Sequence, residues 1–305
     1  MNNLNSAPGA NGLPDLHSTK PAQPQSASTG VGFGKVVTAV ELRQFCMERY
    51  ESLQQQSYHT QGEGSIGLHR SVAVSADGCA KIYNRQADGS LAESTVPTTG
   101  PVSSATLSLN GLHLVTISND YTAKIFDLQA DGSWTEKTGI CHGDKIRSAT
   151  FSNDNKHLVT ISDDYTAKIF DLQADGSWIE KACIYHDDNI RSVTFSSDDR
   201  HLLTTSDDHT ANIFGLTVDG SWAVKATIYH SAKIGIATFS ADDKHVVTAS
   251  DDHTAKVYCE VANGSWSKQI TIDHDGPIES LIFYYDGRIL ETTSEDGTRQ
   301  LTALT

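Results

Sequence analysis

The stretch His113–Trp134, HLVTISNDYTAKIFDLQADGSW, decides the fold. It returns at His157–Trp178 with one change, Asn119 becoming Asp163, and in weaker copies at His201–Trp222 and His245–Trp266. Each copy begins 44 residues after the last. A fixed period of that length marks a repeat architecture, in which each unit buries its apolar surface against its neighbours.

Each unit reads as four short strands. His113–Ser118 is β-rich, Asn119-Asp120-Tyr121-Thr122 interrupts it with turn formers, and Ala123–Leu128 alternates with a period of two. Alternation over four to eight residues between turn signals favours strands over a helix. Asp131-Gly132 is a hairpin signal, because both residues tolerate positive φ. Trp134–Cys141 reads as a further strand, and Ile146–Ser152 as another that turns through Asn153-Asp154-Asn155 into the next copy.

The best-anchored column is an Asp six residues before an aromatic: Asp77/Tyr83, Asp120/Phe126, Asp164/Phe170, Asp208/Phe214 and Asp252/Tyr258, with Asp296/Thr302 a decayed sixth. A His stands 22 residues before the Asp at His142, His186, His230 and His274. These features resemble the WD40-repeat family, with Phe126-Asp127 and Phe170-Asp171 where that family usually has Trp-Asp. The resemblance covers about residues 60–305 and implies an all-β fold, a β-propeller of four-stranded antiparallel blades. In the family's order Ile146–Ser152 is a first strand (a), 157–162 a second (b), 166–172 a third (c) and 178–184 a fourth (d). The resemblance further implies a buried hydrogen-bonded set in each blade. His142, His186, His230 and His274 would join Asp120, Asp164, Asp208 and Asp252, together with Ser118, Ser162, Ser206 or Ser250. Phe has no N–H donor, so the aromatic contributes burial alone.

Third strands fall at about 79–84, 122–128, 166–172, 210–216, 254–260 and 298–304, which gives six blades, with seven as the alternative. The last unit has no fourth strand of its own before Thr305, and Ser52–His59 is the candidate to supply it. The propeller domain is set at 58–305, behind an amphipathic helix and linker at 35–57 and a Ser/Pro/Asn-rich tail at 1–34, expected to be disordered. Thr38 and Glu41 fit a capping box, and Leu42, Phe45, Cys46, Tyr50 and Leu53 follow on one helical stripe.

The sequence has 38 acidic and 23 basic residues, a net charge of −15, which disfavours broad binding to phosphate backbones. A basic or neutral protein partner is favoured, and no nucleic acid or membrane partner is expected. The chain is expected to be a soluble monomer. Five cysteines, with no CxxC, fit reduced thiols. The opening MNNLNSAPGANG lacks the marks of a secretory signal, so the expected location is cytoplasmic. The tail is also similar to the leaders of bacterial type III secreted effectors, which makes export into a host cell the alternative. The 13 His fall in register, His113, His157, His201 and His245 at one position and His209 and His253 at another, so they spread over blades instead of converging. No metal site and no cofactor are expected.

The copies differ most in the loops between d and a: Gly143-Asp144-Lys145, Asp187-Asp188-Asn189, Ser231-Ala232-Lys233 and Asp275-Gly276-Pro277, followed by Arg147, Arg191, Gly235 or Glu279. The b–c turn also switches, from Tyr121 and Tyr165 to His209 and His253. In up-and-down blades both connections emerge on one face, where WD40 propellers commonly bind peptides. The expected function is a non-catalytic scaffold that grips a protein or peptide there. Its contact residues are Tyr121, Lys145, Arg147, Tyr165, Asn189, Arg191, His209, Lys233, His253 and Glu279. The alternative is a propeller enzyme of hydrolase or lactonase type. That reading lacks a singular acid–base pair and a Gly-x-Ser-x-Gly elbow, and no catalytic residue is assigned.

Overall fold

The computed structural model describes residues 70–98, 100–262, 264–285 and 287–304. The tail 1–34, the helix at 38–55 and the candidate closing strand 52–59 lie outside the described residues.

Six antiparallel sheets follow one another along the chain. Blade 1 contributes strands b, c and d (Arg70–Val74, Ala80–Arg85, Leu91–Thr95). Blade 2 runs Val102–Leu107, His113–Ser118, Thr122–Leu128 and Trp134–Cys141. Blade 3 runs Ile146–Phe151, His157–Ser162, Thr166–Leu172 and Trp178–Tyr185. Blade 4 has Ile190–Phe195, His201–Ser206, Thr210–Leu216 and Trp222–Tyr229, and blade 5 has Ile234–Phe239, His245–Ser250, Thr254–Glu260 and Trp266–Asp273. Blade 6 supplies a, b and c (Ile278–Tyr284, Ile289–Ser294, Arg299–Ala303). These are the repeated antiparallel sheets of a β-propeller.

The pattern of apolar residues follows from where each strand lies. Every residue of His157–Ser162 is buried, because neighbouring blades cover both faces of strand b. Leu158 packs toward blade 2 with Val115, Ile125 and Trp178, while the next residue, Val159, packs toward blade 4 with Leu202, Phe214 and Trp222. Successive side chains leave a strand on opposite faces, so HLVTIS reads as a nearly unbroken apolar run. Strand d, by contrast, buries Trp178 and Ile184 and exposes much of what lies between.

At the end of the blades carrying the a–b turns, the turns of blades 3, 4 and 5 are each tied to the one before. Asp199, at φ 59, accepts from the Asn153 and Asp154 N–H groups at 2.8 and 2.7 Å. Asp243, at φ 58, accepts likewise from Ser197 and Asp198 at 2.8 and 2.9 Å. Asp and Asn tolerate the left-handed region better than most side chains, and here the side chain gains two backbone hydrogen bonds and one side-chain hydrogen bond by adopting it.

Candidate partner-binding face

The opposite end, where b meets c and d meets the next a, is one hydrogen-bonded band. The His142 N–H donates to the Tyr121 carbonyl at 3.1 Å, so the d–a loop starts from the b–c turn of its own blade. The same loop ends on the next blade, where the Asp163 N–H donates to the Lys145 carbonyl at 2.9 Å. The pattern repeats through His186 and Tyr165, Asp207 and Asn189, His230 and His209, and Asp251 and Lys233. It continues through His274 and His253, then Glu295 and Pro277. Blades 2 to 6 therefore present their variable loops as one continuous strip.

Two backbone devices aim side chains out of this strip. In five blades the register of strand a slips at its second residue, leaving Ser103, Arg147, Arg191, Gly235 and Glu279 unpaired. Such bulges bend the strand and redirect the extra side chain. The residue redirected is the one that varies between copies. Ser103, Arg147, Arg191 and Glu279 are all exposed. The second device lies in the b–c turns: Tyr121, Tyr165, His209 and His253 sit at φ 66 to 67. The first and last blades use glycine at this position, Gly78 and Gly297. A non-glycine residue there costs about 1–2 kcal/mol, so the four middle blades carry aromatic rings where backbone energetics alone favours glycine. Both Tyr rings stand open to solvent, at 44% and 42% exposure, and His209 and His253 are exposed as well.

Arg147 pairs with Asp163 of its own blade, and Arg191 with Asp207, the latter through a 2.7 Å bond from Nε. That pairing raises the Arg191 guanidinium and lowers the Asp207 carboxyl. Each bulge arginine is thus held against the b–c turn of its own blade. Lys145, Lys233 and Glu279 are exposed on the same strip, while Asn189 is half-buried and donates to its neighbour Asp188. The structure brings all ten sequence-selected contact residues onto this strip.

Beneath it lies a buried polar set. His142 Nδ1 reaches Asp164 at 3.1 Å, and Nε2 reaches Thr160 Oγ1 at 2.9 Å. His186 bridges Asp208 and Thr204, and His230 bridges Asp252 and Thr248, at 2.9 to 3.0 Å. Burial lowers the His142 and His230 rings, only partly offset by their aspartates, so each ring is neutral, with Nδ1–H donating to carboxylate and Nε2 accepting from threonine. Burial pushes the Asp164 carboxyl up, but hydrogen bonds from the Thr166 hydroxyl and the Gly143 and Thr166 N–H groups outweigh it, taking it to about 2. Asp164 thereby fastens the d–a loop above it, since the Gly143 N–H donates to it at 2.7 Å.

Two assignments made from sequence differ here. The hydroxyl that meets the imidazole belongs to threonine, two residues before the serine. Thr160 Oγ1 points to the ring side, while Ser162 Oγ donates to the Asp144 carbonyl, as Ser206 and Ser250 do to Asp188 and Ala232. Residues two apart share a strand face, and the threonine is the one level with the ring. Asp120 is exposed and bonds Thr122 of its own turn, because blade 2 has Thr98 where blades 3 to 6 have histidine. His274, in turn, meets Thr292 at 2.7 Å and Thr298 at 3.2 Å.

Residues 135–171, 180–214 and 223–259 match the family model of the WD domain, G-beta repeat, WD40. Each match starts in strand d and ends in strand c of the next blade, so the sequence repeat straddles two sheets. These three stretches are WD40 repeats, and the sheets that carry them have the form of propeller blades. Propellers of this class generally act by holding other proteins and are usually not enzymes. No curated protein matches the chain. Among the described residues no cluster of three or more His, Cys, Asp or Glu could hold a metal ion, and no helix is long and apolar enough to cross a membrane.

Proposed function

We propose that this protein is a non-catalytic scaffold that grips a protein or peptide across the strip formed by its d–a and b–c loops. The observation that carries this is the set of exposed aromatic rings at Tyr121, Tyr165, His209 and His253, each in the left-handed region. Strain of that kind concentrates at functional sites. Tyr and Arg are the residue types that most often anchor protein contacts, and Arg147 and Arg191 are exposed on the same strip as the two tyrosines. Carboxylates crowd the same strip, among them Asp144, Asp187, Asp188 and Asp251, which favours a partner segment of basic or neutral character. The double variant Tyr165→Gly/Arg191→Ala tests the assignment. Partner capture in pull-downs should be lost while the melting temperature stays within a few degrees. Undiminished capture would place the contact elsewhere.

The composition of residues 1–34 supports a setting for this scaffold as an exported effector. Deleting 1–34 should then block export and leave the melting curve unchanged. Export that survives the deletion would show that 1–34 is not the export signal, and a full chain that is never exported would be a resident cytoplasmic protein.

A further inference from the structure

Between blades 2 and 3 the chain builds a holder for one carboxylate. Asp127 Oδ1 accepts from His113 Nδ1 at 2.6 Å and from Trp178 Nε1 at 3.4 Å, with Lys137 Nζ 4.0 Å from Oδ2. The His and Lys come from blade 2 and the Trp from strand d of blade 3, whose ring meets the imidazole edge-on at 5.4 Å. Blades 3 and 4 repeat the imidazole–carboxylate half of it, with His157 on Asp171 at 2.6 Å and Trp222 edge-on to the imidazole at 5.4 Å, while Trp222 Nε1 has no hydrogen-bond partner among the described residues.

Between blades 4 and 5 the partners return as His201, Trp266 and Lys225, but the carboxylate position is Gly215. His201 and Trp266 are 8% and 6% exposed and keep the same edge-on contact at 5.4 Å, against Phe239. His201 Nδ1 and Trp266 Nε1 are buried with no hydrogen-bond partner among the described residues. Leaving a buried polar group unpaired is costly, and His201 Nδ1 lacks the carboxylate that His113 and His157 have; Trp222 Nε1 is unpaired even beside Asp171, so the imidazole nitrogen is what sets this site apart. Glu260 does not serve, because it approaches the other ring nitrogen, Nε2, at 3.5 Å. The Lys225 side chain lies over Gly215, where a Cβ would come within 2.6 Å of its Cε. Lys225 is partly exposed, and its flexible chain can swing its ammonium toward an incoming anion as Lys137 faces Asp127.

We propose that the Gly215 site binds a small monocarboxylate, of formate or acetate size, which takes the role that the Asp127 side chain plays between blades 2 and 3. The carboxylate accepts from His201 Nδ1–H and Trp266 Nε1–H and pairs with Lys225, joining blade 4 to blade 5.

The four tryptophans give four indole N–H resonances, and Trp266→Phe assigns the one concerned. Titrating formate or acetate into the full chain at constant ionic strength should move that resonance saturably and raise the melting temperature by a few degrees. Gly215→Asp should reproduce the bound position without ligand and abolish the response. Lys225→Met should fold normally and weaken binding several-fold. A response to chloride equal to that for formate, a response that survives in Gly215→Asp, or an unmoved Trp266 resonance would each overturn the proposal.

Discussion

The His186 N–H donates to the Tyr165 carbonyl at 3.1 Å, so the loop that leaves blade 3 hangs from the residue whose ring stands furthest out of the b–c turn. That bond fixes the Tyr165 backbone at φ 66, while the ring, beyond Cβ, plays no part in it. Backbone geometry and side-chain chemistry are therefore separable at this position, and the first predictions use that separation.

Tyr165→Gly keeps the His186 bond and removes the left-handed penalty. It should leave the protein as stable or more stable by up to about 1 kcal/mol, while partner capture is lost. Thermal melts beside pull-downs measure both. Reduced stability with intact capture would mean that the ring is a packing residue.

The buried threonines should matter for stability and not for binding. Thr204 is fully buried and donates to His186 Nε2 at 2.9 Å. Thr204→Val keeps the shape and removes the closer of two donors to that nitrogen, leaving Asn212 Nδ2 at 3.3 Å, with an expected loss of about 1–2 kcal/mol in denaturant unfolding. Thr204→Ser should recover part of it.

Acid sensitivity should come in two stages. His142 and His230 are lowered from 6.5 by burial, so the stability they contribute is complete above pH 6.5 and declines as pH falls below it. Asp164 is depressed from 3.8 to about 2, so its contribution is complete above about pH 4 and is lost as pH falls through 2. The melting temperature should be level above pH 6.5, slope gently below it and fall steeply below pH 4. Asp164→Asn should flatten the steep limb; an unaltered limb would assign acid unfolding to other groups.

At the opposite end of the blades, Asp243 accepts from the Ser197 and Asp198 N–H groups. Asp243→Ala loses both bonds and leaves a Cβ-bearing residue at φ 58, which should cost about 2–3 kcal/mol. Capture by the folded protein should be unchanged, which makes this variant a control for the loop strip.

Much of the architecture was open to reading because each copy carries its own turn and strand signals at 44-residue spacing, and the strands fell where Asp-Gly and Asn-Asp turns bounded them. What could not be read depends on register and on contacts between blades. A bulge at Arg147 or Arg191 is one unpaired residue and leaves no mark in composition. The left-handed Tyr165 runs against the preference of its own residue type. Thr160 looks like any β-branched strand residue until its partner His142 is placed beside it from the preceding blade. The 44-residue spacing puts Gly215 in the column of Asp127 and Asp171, but what that Asp holds needs His113 and Trp178 brought together from two sheets.

Site-directed photo-crosslinking distinguishes the two ends of the blades. A photoreactive residue at position 187 or 231, on the loop strip but replacing none of the ten contact residues, is compared with one at 131 or 175, in the c–d turns at the other end of the blades. A discrete adduct with a protein partner is expected from 187 and 231 and none from 131 or 175. Adducts from 131 or 175, with none from 187 and 231, would put the contact at the wrong end of the blades.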